Sequence, residues 1–481
     1  MARAIAAFLM ALAGFGCVQL PEGQILCGPP PDLSCPGGWT CHPGDVCLPG
    51  PAPDAGPDGG DPDAELSLEV IATFNGARLD LASDVAVVGN KAYVTGFFSG
   101  STRFGAQGTR EAGETAHAYL ARVDREGLVE MLTTARSDEL TTFNAVTANN
   151  DEVVVIGVFG GEFDLGNGVT LSAGELTRSV AIVGYDASLT AQWATALVPS
   201  EDDAMVPSSI AFAGERVRVA GTYGGAIGEL LPEPTGPLAG FVATLQLDHA
   251  AEPVRTFAVA DGVFGLSASG GDNDLFGVGG TRNGNGFVAA FSGSRTLQWE
   301  AEIGGPSEDA VRAVTRSGET ICFVLESGSQ GIVFDRITVA PGGAVGLVQC
   351  RNRSGDVSWT KFLSGDNPAA VRPTDVLASG DSLWVAGTFT ARVDFGLGLL
   401  TSTAAQDLFL LEFDLFSGAL RRQFTLGGAG NEEPRGLDVG LDGSVWVVGT
   451  YEETIESASG TIAADGALDA FVAIVDREGA Q

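Results

Sequence analysis

The chain has 481 residues, of which 68 are Gly, and 26 Lys and Arg stand against 61 Asp and Glu for a formal charge of −35. So acidic a chain repels nucleic acid and anionic lipid, and the charge is read as solubility of an exported protein. The three His, His42, His117 and His249, leave His-dependent catalysis or a His-rich metal site little to build on.

Residues 1–16 have the pattern of an export signal. Arg3 supplies the positive start, and Ala4–Ala13 is an apolar run too short to span a bilayer. Two cleavage readings compete. Ala11-Leu-Ala13 fits a small-x-small site. Ala13-Gly-Phe-Gly-Cys17 resembles a bacterial lipobox, with Gly14 where that motif usually has Leu, and makes Cys17 the lipidated first residue. Cysteine parity favours the lipid. Of seven Cys, six remain once Cys17 is acylated, and six can pair in an oxidising compartment.

Residues 17–50 hold Cys27, Cys35, Cys41 and Cys47, spaced for a small loop-rich module stapled by two disulfides. A zinc site is the weaker alternative, because no Cys-x-x-Cys occurs. Residues 51–65 are Pro, Gly, Asp and Ala, which cannot pack and form a flexible acidic spacer.

From Asp84 onward three short apolar segments recur in fixed order. Aligned on the third, the units sit at Tyr119, Val180, Phe241, Phe287, Leu347, Phe409 and Phe471, a period of about 60 residues with one shorter step. The segments are rich in Val, Phe, Leu and Thr and bounded by Gly, Asn and Asp, so they are strands. Strand a is represented by Asp84–Val88, Leu266–Ser269 and Gly436–Gly440. Strand b is represented by Val153–Phe159 and Val445–Tyr451. Strand c is the aligned segment, and strand d often carries Trp. Four antiparallel strands repeated radially make an all-β propeller. After Asp476 no strand d remains for the last unit, while a spare one, Leu66–Phe74, precedes the first. That strand is expected to complete the last blade and close a ring of seven, since an open ring exposes an apolar edge.

Val385-Ala-Gly-Thr-Phe389, Val393-Asp-Phe-Gly-Leu-Gly398 and Asp407-Leu-Phe-Leu-Leu-Glu-Phe-Asp414 resemble the bacterial secreted β-propeller repeat family, over residues 66–481. The resemblance implies the propeller fold and is nearly silent on function. The units at Phe287 and Leu347 depart from the pattern. The first lacks a long b–c loop, and the second has Cys322-Phe-Val-Leu325 where others have Gly.

No catalytic residue is assigned. Asp394-Phe-Gly396 lies in a repeated turn without other kinase motifs. The b–c loops (Ser99–Ala116, Gly160–Thr177, Thr390–Gln406) are long and emerge with the d–a loops on one face, the candidate binding face. Its d–a loops are acidic: Asp138 and Glu139; Glu201, Asp202 and Asp203; Glu308 and Asp309; Asp366; Glu432 and Glu433. They either attract Ca²⁺ or cap their own turns, and capping is favoured because they recur in register with the fold. No cofactor is expected beyond weak Ca²⁺. Trp384, Trp446, Trp193, Trp299 and Trp359 are expected to pack between blades. Cys322 and Cys350 fall at facing ends of strands b and c of one unit, and are expected to form a disulfide.

The function expected is a lipid-anchored envelope protein whose loop face binds a surface glycan, peptide or protein. A polysaccharide-acting enzyme with paired carboxylates and a purely structural envelope component are the alternatives. The membrane is a partner through the lipid, nucleic acid is not, and a monomer is expected.

Overall fold

The computed structural model describes residues 66–475, apart from the stretches 138, 175–177, 200–204, 228–229, 235, 248–252, 268–274, 329–331, 335–336, 340–344, 366–369, 404 and 458–459, with backbone alone at 253–258, 332–334 and 337–339. Before residue 66 it describes the backbone of 17–19, 25–27, 39–42 and 46–49. Those four short strands form one antiparallel sheet, with Cys17 opposite Cys27 and Cys41 opposite Cys47.

The described residues between 66 and 475 are strands and turns, with one 3₁₀ turn among them at Gly105–Gln107. Among the described residues no helix is long and apolar enough to cross a membrane. The strands fall into seven antiparallel groups, numbered here in chain order with strands a to d. Groups two to six are separate sheets, beginning at Thr142–Ala148, Met205–Phe212, Gly262–Leu266, Asp309–Ser317 and Val371–Ser379. Group one is Asp80–Val88, Lys91–Arg103, Thr109–Asp124 and Val129–Ser137. Group seven is Glu432–Val439, Val445–Tyr451, Asp469–Val475 and, as its strand d, Leu68–Gly76. The last pairing sets Ala470 opposite Phe74 and Val475 opposite Leu68. Each strand a touches strand a of the next group, and that of group seven touches that of group one. Four-stranded meanders repeated about shared inner strands are the propeller arrangement.

Strands b and c are buried on both faces, which explains their unbroken apolar sequences: Val153–Phe159, Ser179–Tyr185, Val445–Tyr451 and Asp469–Val475 are buried throughout. Strand a starts several residues earlier than the sequence predicted. In group four it is Gly262–Leu266 rather than Leu266–Ser269. The cause is a bulge in every strand a, at Ala82/Asp84, Phe143/Ala145, Pro207/Ser209, Val263/Gly265, Val311/Ala313, Pro373/Asp375 and Pro434/Gly436. The extra residue resets the alternation of faces, so the part before it does not read as the same strand.

The long b–c connections are largely paired strand rather than loop. Glu162–Asp164 with Thr170–Ser172, Arg392–Asp394 with Leu399–Thr401, and Thr454–Ser457 with Gly460–Ala463 are hairpins. In group one the expected loop is an extension of strands b and c themselves. Phe163, Val393 and Ile455 are buried, so the hairpins are part of the core. Each docks on strand d, or its end, in the preceding group: Phe163 opposite Ser137, Val393 bridged to Gly365, and Glu456 N donating to Gly427 O at 2.8 Å. The same strap joins group one to group seven, where Thr102 and Arg103 pair with Gly76 and Asn75. Group four has only a tight turn, with Asn283 and Gly284 at φ 53 and 77.

Cys322 and Cys350 face each other across strands b and c of group five, Cα atoms 4.1 Å apart, and are joined by a disulfide. The expected packing of the Trp residues also holds. Trp384 and Trp446 are fully buried, and Trp299 and Trp359 are nearly so. Trp193 is half-buried, its Nε1 donating to Glu152 at 2.5 Å.

Candidate functional site

Among the described residues polar side chains face several cavities, and two sets of them draw on three or more groups. The first surrounds the shared inner strands. A cavity of about 320 Å³ is lined by residues of strand a from all seven groups, including Asp84, Asp375 and Asp438. These carboxylates join neighbouring groups. Asp84 accepts from Val85 N and, in group two, Val146 N, both at 2.8 Å. Asp438 accepts from Val439 N and from Val87 N of group one. Asp375 accepts from Val376 N and from Leu437 N of group seven. They are half-buried along this cavity, and desolvation pushes Asp375 up to about 7, Asp438 up to about 6, and Asp84 well above the usual carboxylate range. Where inner strands approach this closely only small residues fit. A Cβ on Gly436 would lie 2.7 Å from the Asp84 Cα.

The second set lies on the face where b–c and d–a connections emerge. A groove of about 560 Å³ crosses groups five to seven, with Arg312, Glu326, Arg372, Gln406, Asn431 and Glu433 among its walls. Arg312 sits at the bulge of its strand a, which turns the side chain outward. Thr374 and Arg435 occupy the matching bulges of groups six and seven. Glu326 Oε2 is 2.6 Å from Arg312 Nη2, and its Oε1 is 3.2 Å from Arg372 Nε. Glu326 ends strand b where groups six and seven have Thr388 and Thr450. A second cavity of about 760 Å³ shares the Arg312–Glu326 pair as a wall. Guanidinium, amide, hydroxyl and carboxylate groups thus converge on an open groove, a surface suited to a polar ligand with several hydrogen-bonding groups.

The acids singled out in the sequence do not form one site. Asp138, Glu201, Asp202, Asp203 and Asp366 lie outside the described residues, as does Cys35, and of Cys17, Cys27, Cys41 and Cys47 only the backbone is described. Glu139 is exposed on its turn. Glu308 is exposed at the rim of the second cavity. Asp309 caps its turn by accepting from Gly305 N at 2.7 Å and from the Ser327 hydroxyl. Glu433 is half-buried and paired with Arg435 at 3.0 Å. Glu432 is fully buried, and neither carboxylate oxygen has a hydrogen-bond partner. Burial, and then the charge of Asp407, push it up to about 9. Among the described residues no group of three His, Cys, Asp or Glu is placed to hold a metal ion.

The long loops in the sequence point to this face, but Arg312, Arg372, Gln406 and Asn431 are not among the residues they single out. Of these only Arg312 has a local signal: it stands at the bulge offset where other repeats carry Ser83, Asn144, Ser208 and Thr374.

No family model matches the chain, and no curated protein matches it. Solved structures align over most of it. The Dos1 propeller is 11% identical, with 84% of this chain and 94% of that chain covered and a TM-score of 0.42. The WD40 β-propeller domain of Doa1 is 12% identical, over 84% and 97%, at 0.41. The quinohemoprotein alcohol dehydrogenase from Comamonas testosteroni is 10% identical, over 85% and 76%, at 0.40. Scores this low carry no argument about this chain.

Proposed function

We propose that residues 66–475 are a closed seven-bladed propeller, completed by Leu68–Gly76, that binds a polar ligand in the groove over groups five to seven. The chain is exported and held at the cell envelope by lipid on Cys17. The groove carries the functional reading: it gathers Arg312 and Arg372, with amide and hydroxyl groups, on one face of a protein with net charge −35. Binding groups on a rigid scaffold, with no assigned catalytic residue, fit a ligand-binding or scaffolding module.

The enzyme alternative needs a carboxyl pair free to serve as acid and base. In this groove Glu326 is committed to two guanidinium groups, Glu433 to Arg435, and Glu452 to the Asn431 amide at 2.7 Å. These partners favour the binding reading.

The test is a panel of glycans, peptides and envelope proteins against the mature protein, with Arg372→Ala and Gln406→Ala as groove variants. Binding that both variants weaken about tenfold or more, the loss of one charge-assisted hydrogen bond, is expected. Binding that ignores both variants overturns the groove assignment. Intact mass of the exported protein tests the anchor. An acylated N-terminal Cys17 is expected, and a mature chain beginning at Gly14 without acyl mass overturns it.

A further inference from the structure

Turn capping accounts for Asp309 but leaves Glu432 unexplained. Glu432 opens strand a of group seven and is fully buried. It faces Asp407, which opens strand c of group six and is itself buried. Asp407 is held by Thr403, whose backbone N lies 3.1 and 3.0 Å from its two oxygens. Glu432 has no such support. The Gly428 amide lies near it without forming a hydrogen bond of good geometry.

A carboxylate buried beside another needs a proton or a cation. The next corner of the fold shows what the proton solution looks like. There Asp80 opens strand a of group one and Asp469 opens strand c of group seven. The Asp469 carboxyl is in hydrogen-bond reach of Asp80, and the Thr102 hydroxyl donates to Asp80 Oδ1 at 2.5 Å. Asp80 Oδ2 also lacks a donor, and one proton shared with Asp469 supplies it. At the Glu432 corner the two acids are neighbours but form no hydrogen bond with each other, so a shared proton does not answer for the unpartnered oxygens.

The surroundings supply neutral oxygen instead. The Thr454 carbonyl and Glu432 Oε1 both border Gly428, the latter 2.9 Å from where a Cβ would stand. Asp407 Oδ2 and the Thr403 hydroxyl border Gly427 in the same way. A side chain at either glycine would collide with these oxygens, so two glycines in succession let them crowd this corner. Two carboxylates with carbonyl and hydroxyl oxygens are a hard-cation ligand set, and a divalent ion makes the buried group neutral.

We propose that the corner between groups six and seven binds one divalent cation of the calcium class, with Glu432 and Asp407 as its charged ligands. The ion joins strand c of one group to strand a of the next and to the strap hairpin at Thr454. It explains why Glu432 has no donor, and it raises the expected Ca²⁺ dependence from weak to pronounced. The proposal stands independently of the groove reading.

The test uses the full mature protein, stripped with chelator and titrated with CaCl₂, with MgCl₂ for comparison, followed by heat of binding, bound-metal analysis and melting temperature. Saturable uptake of one Ca²⁺ per chain with a rise in melting temperature is expected. Glu432→Gln removes that uptake, whereas Glu139→Gln, on an exposed turn, retains it. No Ca²⁺ uptake by the unmodified protein overturns the proposal and leaves a protonated Glu432 as the answer. That measurement decides the matter even where Glu432→Gln fails to fold. Uptake that Glu432→Gln leaves unchanged overturns the assignment to this corner.

Discussion

The indole of Trp359, on strand d of group five, rests against Gly418 in the c–d turn of group six. Its Nε1 donates to Leu415 O at 2.8 Å, and a Cβ on Gly418 would come within 2.6 Å of the indole Cδ2. Gly418 also has φ 68, a left-handed backbone that side chains resist. Trp299 and Gly355 repeat the relationship one group earlier, with Gly355 at φ 86. An outer-strand Trp therefore locks the next group's turn.

Replacing Gly418 by Ala combines strain with a steric clash, and a loss of roughly 2 kcal/mol or more is expected. Trp359→Phe keeps most of the packing but loses the hydrogen bond, for a cost of about 1 kcal/mol. Urea unfolding of the two variants checks both, with Gly418→Ala the more damaging. Equal small effects would show that the turn repacks freely.

The Cys322–Cys350 bridge closes a loop with a sequence separation of 28. On the chain-entropy account it stabilises by roughly 3–4 kcal/mol. Cys322→Ala with Cys350→Ala is expected to lower the denaturation midpoint, and thiol titration of the denatured, unreduced protein should find neither Cys reactive. Two reactive thiols at these positions would contradict the bridge.

Asp375 and Asp438 give the inner cavity a signature in pH. Burial raises Asp375 to about 7 and Asp438 to about 6, against an ordinary 3.8. A raised acid keeps its proton in the folded state after the unfolded chain has lost it. Its contribution is therefore complete below about pH 4 and is lost as pH rises through 6 to 7. Other carboxylates oppose this at the acid end. The Ser188 hydroxyl holds Asp186 low, and the Ser417 hydroxyl holds Asp414 low. The melting temperature is expected to peak near pH 5, between these limits, and to fall toward pH 8. Asp375→Asn and Asp438→Asn should each flatten that fall. A melting temperature that rises from pH 5 to 8 would rule the account out.

Phe74 anchors strand d of group seven. It is fully buried, 5.1 Å from the Phe104 ring and 5.5 Å from Tyr119, edge to face. Phe74→Ala is expected to cost about 3–5 kcal/mol, because the two neighbouring rings cannot close over the space left. Chemical denaturation measures it, and a cost under 1 kcal/mol would show the strand to be only loosely held.

The strands and their order were legible because b and c are buried on both sides and write continuous apolar runs such as Val153–Phe159. The partnership of Leu68–Gly76 with Asp469–Val475 was also legible, as a surplus strand at one end and a deficit at the other. What stayed hidden arises from breaks in periodicity. The seven bulges displaced the predicted start of every strand a, and they aim Arg312 and Arg435 out of the sheet. The groove draws Glu326, Arg372, Gln406 and Asn431 from three repeats, and no local spacing joins residues so far apart in the chain. The buried state of Glu432 was hidden for a simpler reason. A Glu beside Glu433 reads as two exposed acids, while neighbouring side chains on a strand point to opposite faces.

The pairing of Val70 with Ala473 has a consequence in time. The two residues are about 400 apart in the chain, and at ordinary synthesis rates the second follows the first by roughly 20–80 s. Throughout that interval Leu68–Gly76 lacks the neighbour that covers its inner edge, and the chain carries an apolar strand able to pair with any other open edge. Slow, late docking of this one strand is thus built into the order of the sequence, and the hazard it brings is association between unfinished chains.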